Sequence, residues 1–188
     1  LPALLVTLLC VASSVLFELL FELAAKRPIT IFDNSAVVTG LILAVNLPAT
    51  VAWWIPVIGS VFAIIAVKML FGGLGQNFMN PALAARCFLL ISFTGRMSDF
   101  SIDGVSSATP LAVLKSGESV DLLSTFLGLH GGCIGEVSAL AILVGGLYLI
   151  VKKVISVRIP LTYILSTVLF VFLLNLATGN EVTVNYML

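Results

Sequence analysis

Apolar residues run along this chain in blocks, and its polar residues gather in the gaps between them. A helix needs roughly 20 apolar residues to cross about 30 Å of hydrocarbon. Residues 1–23 meet that requirement and end at Lys26-Arg27-Pro28. The run is too long, and lacks the basic start, of a secretory signal. Residues 35–47 form a shorter run closed by Pro48, and 53–70 form a second full span entered through Trp53-Trp54, which suits an interfacial aromatic belt. Residues 82–93, 135–151 and 159–177 complete a set of about six crossing segments. The pattern predicts an all-α polytopic membrane protein, with 1–188 as one membrane domain.

The gaps carry a second pattern. Phe71-Gly72-Gly73-Leu74-Gly75-Gln76-Asn77-Phe78-Met79-Asn80-Pro81 is too rich in glycine to span and leads straight into a helix. Residues 122–132 form a short apolar run ending in Gly131-Gly132. Irregular backbone at membrane depth is tolerated where protein buries it or where it lines a cavity, and Gly/Pro-broken helices often mark ligand sites. An ordinary loop draws on the same residues, so the pattern alone does not choose between them.

Composition supports lipid as the solvent. Of 188 residues, 60% are hydrophobic and only 10% charged, and the mean hydropathy is +1.21. A soluble domain carries about 25% charged residues. Net charge is zero, which excludes the broad basic surface of a nucleic-acid binder. Cys10, Cys87 and Cys133 stand far apart and His130 is the sole histidine, so the chain holds no zinc or iron–sulfur spacing and no metal site is expected. The chain opens at Leu1 and stops at Leu188 without a polar tail, as expected of a fragment or a processed product.

Charge placement predicts an orientation. With alternating spans, Lys26, Arg27, Lys68, Lys152, Lys153 and Arg158 fall on one side. Arg96, Lys115 and the acids Asp99, Asp103, Glu118 and Asp121 fall on the other. The positive-inside rule makes the first side cytoplasmic and leaves a loop of about 94–119 outside.

Arg86 stands out inside an apolar helix, where insertion scales assign a charge a cost of about 2.5–3.5 kcal/mol. It is expected to face protein, either holding a ligand phosphate or carboxylate or pairing with Glu18, Glu22 or Glu136. Glu18 and Glu22 lie one turn apart near Lys26 and Arg27 and are expected to snorkel beside them. In the outer loop, Thr109-Pro110 reads as a helix start, with Thr109 as cap and Pro110 at the first position.

The same loop resembles something more specific. Asp103-Gly104-Val105-Ser106-Ser107-Ala108-Thr109 is similar to the flavinylation motif of membrane flavoproteins, D-x-x-[S/T]-G-A-T, with Ser107 where glycine is usual. Phe71–Asn77, with Asn80-Pro81-Ala82 and Ala85-Arg86, resembles the glycine-rich helix start of the Rnf D and Nqr B family. Gly131-Gly132-Cys133-Ile134-Gly135-Glu136 resembles the second glycine-rich segment of that family, and Asp33-Asn34-Ser35 through Gly40 fits the same pattern. Ala108-Thr109-Pro110-Leu111-Ala112 looks more like Rnf D than Nqr B. The likeness covers most of residues 33–160, in the family's order.

The resemblance implies a subunit, not catalytic alone, of an ion-translocating complex that passes electrons between ferredoxin and NAD in a bacterial inner (plasma) membrane. It implies a urea-transporter-like bundle with interrupted helices, of which this chain supplies about the first half. It implies FMN joined by a phosphoester to Thr109, with Asp103, Ser106, Ser107 and Ala108 as the motif read by a flavin transferase. A second, noncovalent flavin (riboflavin or FMN) is implied, with Asn77 and Arg86 as candidate contacts. Implied partners are the other Rnf subunits, including an extracytoplasmic FMN subunit. An Nqr B-type component of a Na⁺-pumping NADH:quinone reductase, a solute channel or permease of the same architecture, and a purely structural scaffold are the other readings.

Overall fold

The computed structural model describes residues 2–100, 122–128 and 130–178, with side chains of 2–100, 123–128 and 130–173. Its regular elements are all helical. They are α1 (Pro2–Ala24), a 3₁₀ turn (Ile31–Asp33), α2 (Ser35–Val45), α3 (Trp54–Val61) running on into a π-helical stretch (Phe62–Met69), α4 (Pro81–Ser92), α5 (Thr94–Met97), α6 (Leu122–Leu127), α7 (Ala139–Val151) and α8 (Arg158–Thr178). Among the described residues there is no strand, only an isolated bridge between Pro48 and Cys133. The six apolar runs each became a helix, shortened where glycine or proline stops them. Among the described residues, α1 is the one helix long and apolar enough to cross a bilayer by itself.

The described residues form two compact units: 2–100 with Gly131–Glu136, and 122–128 with 130 and 137–178. In the first, α1 packs along α2 and α3, and α4 closes against α2, α3 and the π-helical stretch. Its core is apolar: Val6, Cys10, Leu43, Leu47, Ile55, Ala63, Ala85 and Leu89 are buried. Phe62 stacks on Phe88 at 4.4 Å, and Trp54 meets Phe93 edge-on at 5.1 Å. In the second unit, α7 starts at Ser138, whose hydroxyl accepts a bond from the Ala141 N–H. Leu143, Val144 and Tyr148 of α7 and Phe170 of α8 are exposed.

Helix α1 is turned inside out relative to a water-soluble helix. Leu4, Leu8, Leu16, Leu20 and Leu23 are exposed, while Ser13, Ser14, Glu18 and Glu22 are buried. Burying charge while exposing leucine is unfavourable in water and favourable in hydrocarbon, where the exterior must be apolar and polar groups must find partners inside. The buried polar stripe identifies a membrane protein more directly than hydropathy does.

Local chemistry sets the helix ends. Asn80 accepts the Ala82 and Leu83 N–H groups through Oδ1, with Pro81 at the first helical position, so α4 starts where Asn-Pro predicts. At the end of the π-helical stretch, Leu70 N–H reaches back five residues to Ile65 O. Gly72 and Gly73 then take φ of 120° and 103°, which side-chain-bearing residues rarely adopt, and Gly73 N–H bonds Lys68 O.

Candidate functional site

Two polar clusters sit inside the first unit. The first surrounds Arg86. Helix α2 stops at Val45 ahead of Pro48, leaving carbonyls that the helix cannot satisfy. The Gly131–Glu136 segment supplies the donors: Ile134 N–H bonds Leu47 O at 3.0 Å, and Gly135 N–H bonds Val45 O at 2.8 Å. A Cβ on Gly135 would lie 2.6 Å from the Val45 Cβ, so only glycine permits this approach. Arg86, from α4, reaches the same break. Its Nη1 donates to Asn46 Oδ1 at 3.0 Å and its Nη2 to Cys133 Sγ at 3.7 Å. Three segments far apart in sequence thus converge on one half-buried guanidinium.

That geometry corrects the expected pairing of Arg86 with a buried acid. Its hydrogen bonds go to neutral groups, because Glu18 and Glu22 are engaged elsewhere. Asn46 and Cys133 were not among the expected site residues. Asn46 directly precedes Leu47-Pro48, the only polar side chain in that run's last turn, and that was its one sequence signal.

The second cluster is ionic. Lys68 Nζ lies 2.6 Å from Glu18 Oε2 and donates also to Ser35 Oγ at 2.6 Å. Glu18, Glu22 and Lys68 are 0%, 1% and 2% exposed. Glu22 Oε1 accepts from Thr30 N–H at 3.0 Å and from the Thr30 hydroxyl. Neither glutamate snorkels beside Lys26 or Arg27, and Lys68 is an interior charge rather than a loop charge of the cytoplasmic side. In hydrocarbon, a pair of opposite charges with an added hydroxyl partner is cheaper to bury than either charge alone. Lys68 and Glu18 each interrupted an apolar run, which was the legible half of this signal.

A groove of about 620 Å³ runs between the π-helical stretch, the glycine-rich loop and α4. Phe62, Phe71, Phe78, Met79, Leu83 and Cys87 are among its walls, and Phe71 and Phe78 meet edge-on at 4.8 Å. Its size falls in the ligand-site range of about 300–1,000 Å³, and its flat apolar walls suit an aromatic ring system. The Asn77 Oδ1 beside these walls in sequence is buried with no hydrogen-bond partner among the described residues, an acceptor fit for a ring N–H. Neither Asn77 nor Arg86 is among the residues lining the groove, so the two expected contacts of a noncovalent flavin are not brought together there. Asp103, Ser106, Ser107, Ala108 and Thr109 lie outside the described residues.

Comparison with known proteins places the chain. Residues 1–188 match the family described as NQR2, RnfD, RnfE. The chain is 55% identical over 182 residues to the D subunit of the Na(+)-translocating ferredoxin:NAD(+) oxidoreductase complex of Acetobacterium woodii, covering 92% of this chain and 57% of that protein. It is 39% identical over 171 residues to the D subunit of the proton-translocating ferredoxin:NAD(+) oxidoreductase complex of Clostridium ljungdahlii, covering 82% and 52%. It is 37% identical over 169 residues to the B subunit of the Na(+)-translocating NADH-quinone reductase of Pseudoalteromonas atlantica, covering 85% and 41%. The chain thus spans about half the length of the curated relatives it matches. With the match running from the first residue to the last, this chain belongs to the NQR2, RnfD, RnfE family.

Proposed function

We propose that the chain is about the first half of a D-type component of an Rnf-type complex, which relays electrons through FMN anchored on Thr109 while the complex moves an ion. The observation that carries this reading is the whole-chain family match, with a 55% identical D-type relative, joined to the Asp103–Thr109 motif. The weaker likeness to a B-type component of the quinone reductase is consistent with one shared ancestry, and the Ala-Thr-Pro-Leu-Ala run at 108–112 favours the D type.

In this reading Thr109 is an anchor, its Oγ1 esterified to the flavin phosphate, and not an acid or base. FMN bound there supplies stepwise electron transfer, which no side chain of this protein can provide. Asp103, Ser106, Ser107 and Ala108 form the segment presented to a flavin transferase. A noncovalent flavin takes the aromatic groove, between Phe71, Phe78 and Leu83. Arg86 instead holds the α2 break closed, although a guanidinium has five donors and two of them are engaged among the described residues. The urea-transporter-like bundle, the multi-pass insertion in the inner membrane, and partnership with other Rnf subunits, including an extracytoplasmic FMN subunit, follow from the same reading.

The test is flavin fluorescence of the denatured protein after gel separation from native membranes. The wild type should fluoresce and Thr109→Ala should not, with assembly of the complex unchanged. Persistence of the covalent signal in Thr109→Ala would remove the anchor from this residue. A permease or a scaffold would show no covalent flavin in either protein.

A further inference from the structure

The turn between α7 and α8 carries charge of one sign. From residue 137 to residue 180 the chain has three cations, Lys152, Lys153 and Arg158, and no acid. All three are exposed. Among the described residues the one ion pair is Lys68–Glu18, so none of the three is matched there by a carboxylate. Backbone bonds keep the turn tight: Lys153 N–H bonds Ile150 O at 2.9 Å, and Val154 N–H bonds Leu149 O at 3.0 Å. They close α7 with Lys153 at a φ of 56°, a position usually given to glycine. Lys152 Nζ lies over the Tyr148 ring at 5.8 Å.

Helix electrostatics accounts for only part of this charge. Cations just past the end of α7 suit the negative end of its dipole, which covers Lys152 and Lys153. Arg158 instead opens α8, where the dipole end is positive and a cation is unfavourable until an anion lies against both. The positive-inside rule concerns the side on which the turn lies, not what its cations touch. Apolar side chains alternate with the charges: Val154, Val157 and Ile159 are exposed, as are Tyr148 and Tyr163 about one turn to either side. Such a mixture is poorly suited to water alone and well suited to the membrane interface, where tyrosine sits at headgroup level.

We infer that this turn is a docking surface for the phosphodiester headgroups of anionic phospholipids, with Arg158 and the two lysines on phosphates and the interleaved apolar side chains among the upper acyl carbons. A guanidinium takes phosphate oxygens in pairs, and lysine adds point charge. A zwitterionic lipid brings its own ammonium, so three cations without an acid favour a headgroup of net negative charge. An acidic protein segment would answer the charges but leave Val154, Val157 and Ile159 without hydrocarbon. The site rests on the multi-pass insertion proposed above and is independent of the flavin.

The test is photocrosslinking of the intact complex in mixed vesicles of phosphatidylglycerol and phosphatidylcholine, with one lipid or the other carrying a photoreactive group at the same upper acyl position. Peptide mass spectrometry reads the capture at residues 148–163. The wild type should capture the phosphatidylglycerol probe about fivefold or more over the phosphatidylcholine probe, the scale that basic residues reach at an anionic surface. Raising the salt should shrink that preference, because exposed charges are screened. Lys153→Gln combined with Arg158→Gln should bring the two probes close to parity. Loss of cations also disturbs the orientation of a helix pair, so the salt series on the wild type decides the matter if that variant fails to assemble. Equal capture of the two probes by the wild type, or a preference indifferent to salt, would overturn the headgroup site alone. Capture elsewhere on α7 and α8 but not at the turn would mean that a protein segment covers it, and would also overturn the site. Capture of neither probe anywhere on the two helices would remove their insertion as well.

Discussion

At the scale of single residues, the account turns on charges placed where lipid surrounds the fold. Lys68 and Glu18 share a 2.6 Å contact, almost fully buried. Removing one partner strands the other, which costs about 3–5 kcal/mol, whereas removing both is close to neutral. Lys68→Met or Glu18→Gln alone should therefore sharply lower the unfolding midpoint in mild detergent, and the double variant should recover most of the loss. Additive losses would show that the pair does not couple. At the surface, the Ser35 hydroxyl, with help from the Lys68 charge, holds the Asp33 carboxyl below its usual 3.8. A depressed carboxylate stabilises the fold above the unfolded value and loses that contribution as pH falls through the lower folded one. Acid titration of stability below about 3.8 should thus be shallower in Ser35→Ala than in the wild type; an unaltered slope would show that Ser35 does not hold Asp33. The sequence marked Arg86 as an anomaly but read Glu18 and Glu22 as snorkelling, and it supplied the partners of none of the three. A charge in an apolar run announces that a partner exists, and only the packing of α1 against α2, α3 and the π-helical stretch decides which one.

At the scale of elements, glycine and proline set both the helix ends and the closest approaches. The helices were legible because apolar runs, Asn80-Pro81 and Pro48 fix them locally. The reason for particular glycines was not, since it depends on what lies across from them. Gly40 is the clearest case: a Cβ there would sit 2.8 Å from both Cys10 O and Val11 Cα, backbone atoms of α1 that cannot move aside alone. Small residues at helix crossings let backbones approach in membranes. Gly40→Val should force α1 and α2 apart and cost about 1–3 kcal/mol or more, read as a lower unfolding midpoint in detergent. A value within error of the wild type would mean that the α1–α2 crossing is loose. Gly135, in the segment before α7, likewise allows a close approach, since a Cβ there would lie 2.6 Å from the Val45 Cβ.

At the scale of the whole molecule, the α1 stripe of buried serine and glutamate under exposed leucine identifies lipid as the solvent, and the family match identifies the lineage. The proposed flavin site was legible only through resemblance. Composition and periodicity read Thr109-Pro110 as an ordinary helix cap, and the Asp103–Thr109 run lies outside the described residues, so its chemistry rests on the motif. Without Lys68, the charge-based orientation rests on Lys26, Arg27, Lys152, Lys153 and Arg158, all exposed. It predicts a Thr109 loop outside the cytoplasm independently of the motif.

The central claim, that this chain carries a covalent flavin, is tested most directly by peptide mass spectrometry on the protein from native membranes. The account predicts that the peptide containing Thr109 is heavier by one phosphoester-linked FMN and fragments to place it on that threonine. An unmodified Thr109 peptide from the assembled complex would contradict the account, leaving the family likeness to explain the fold alone.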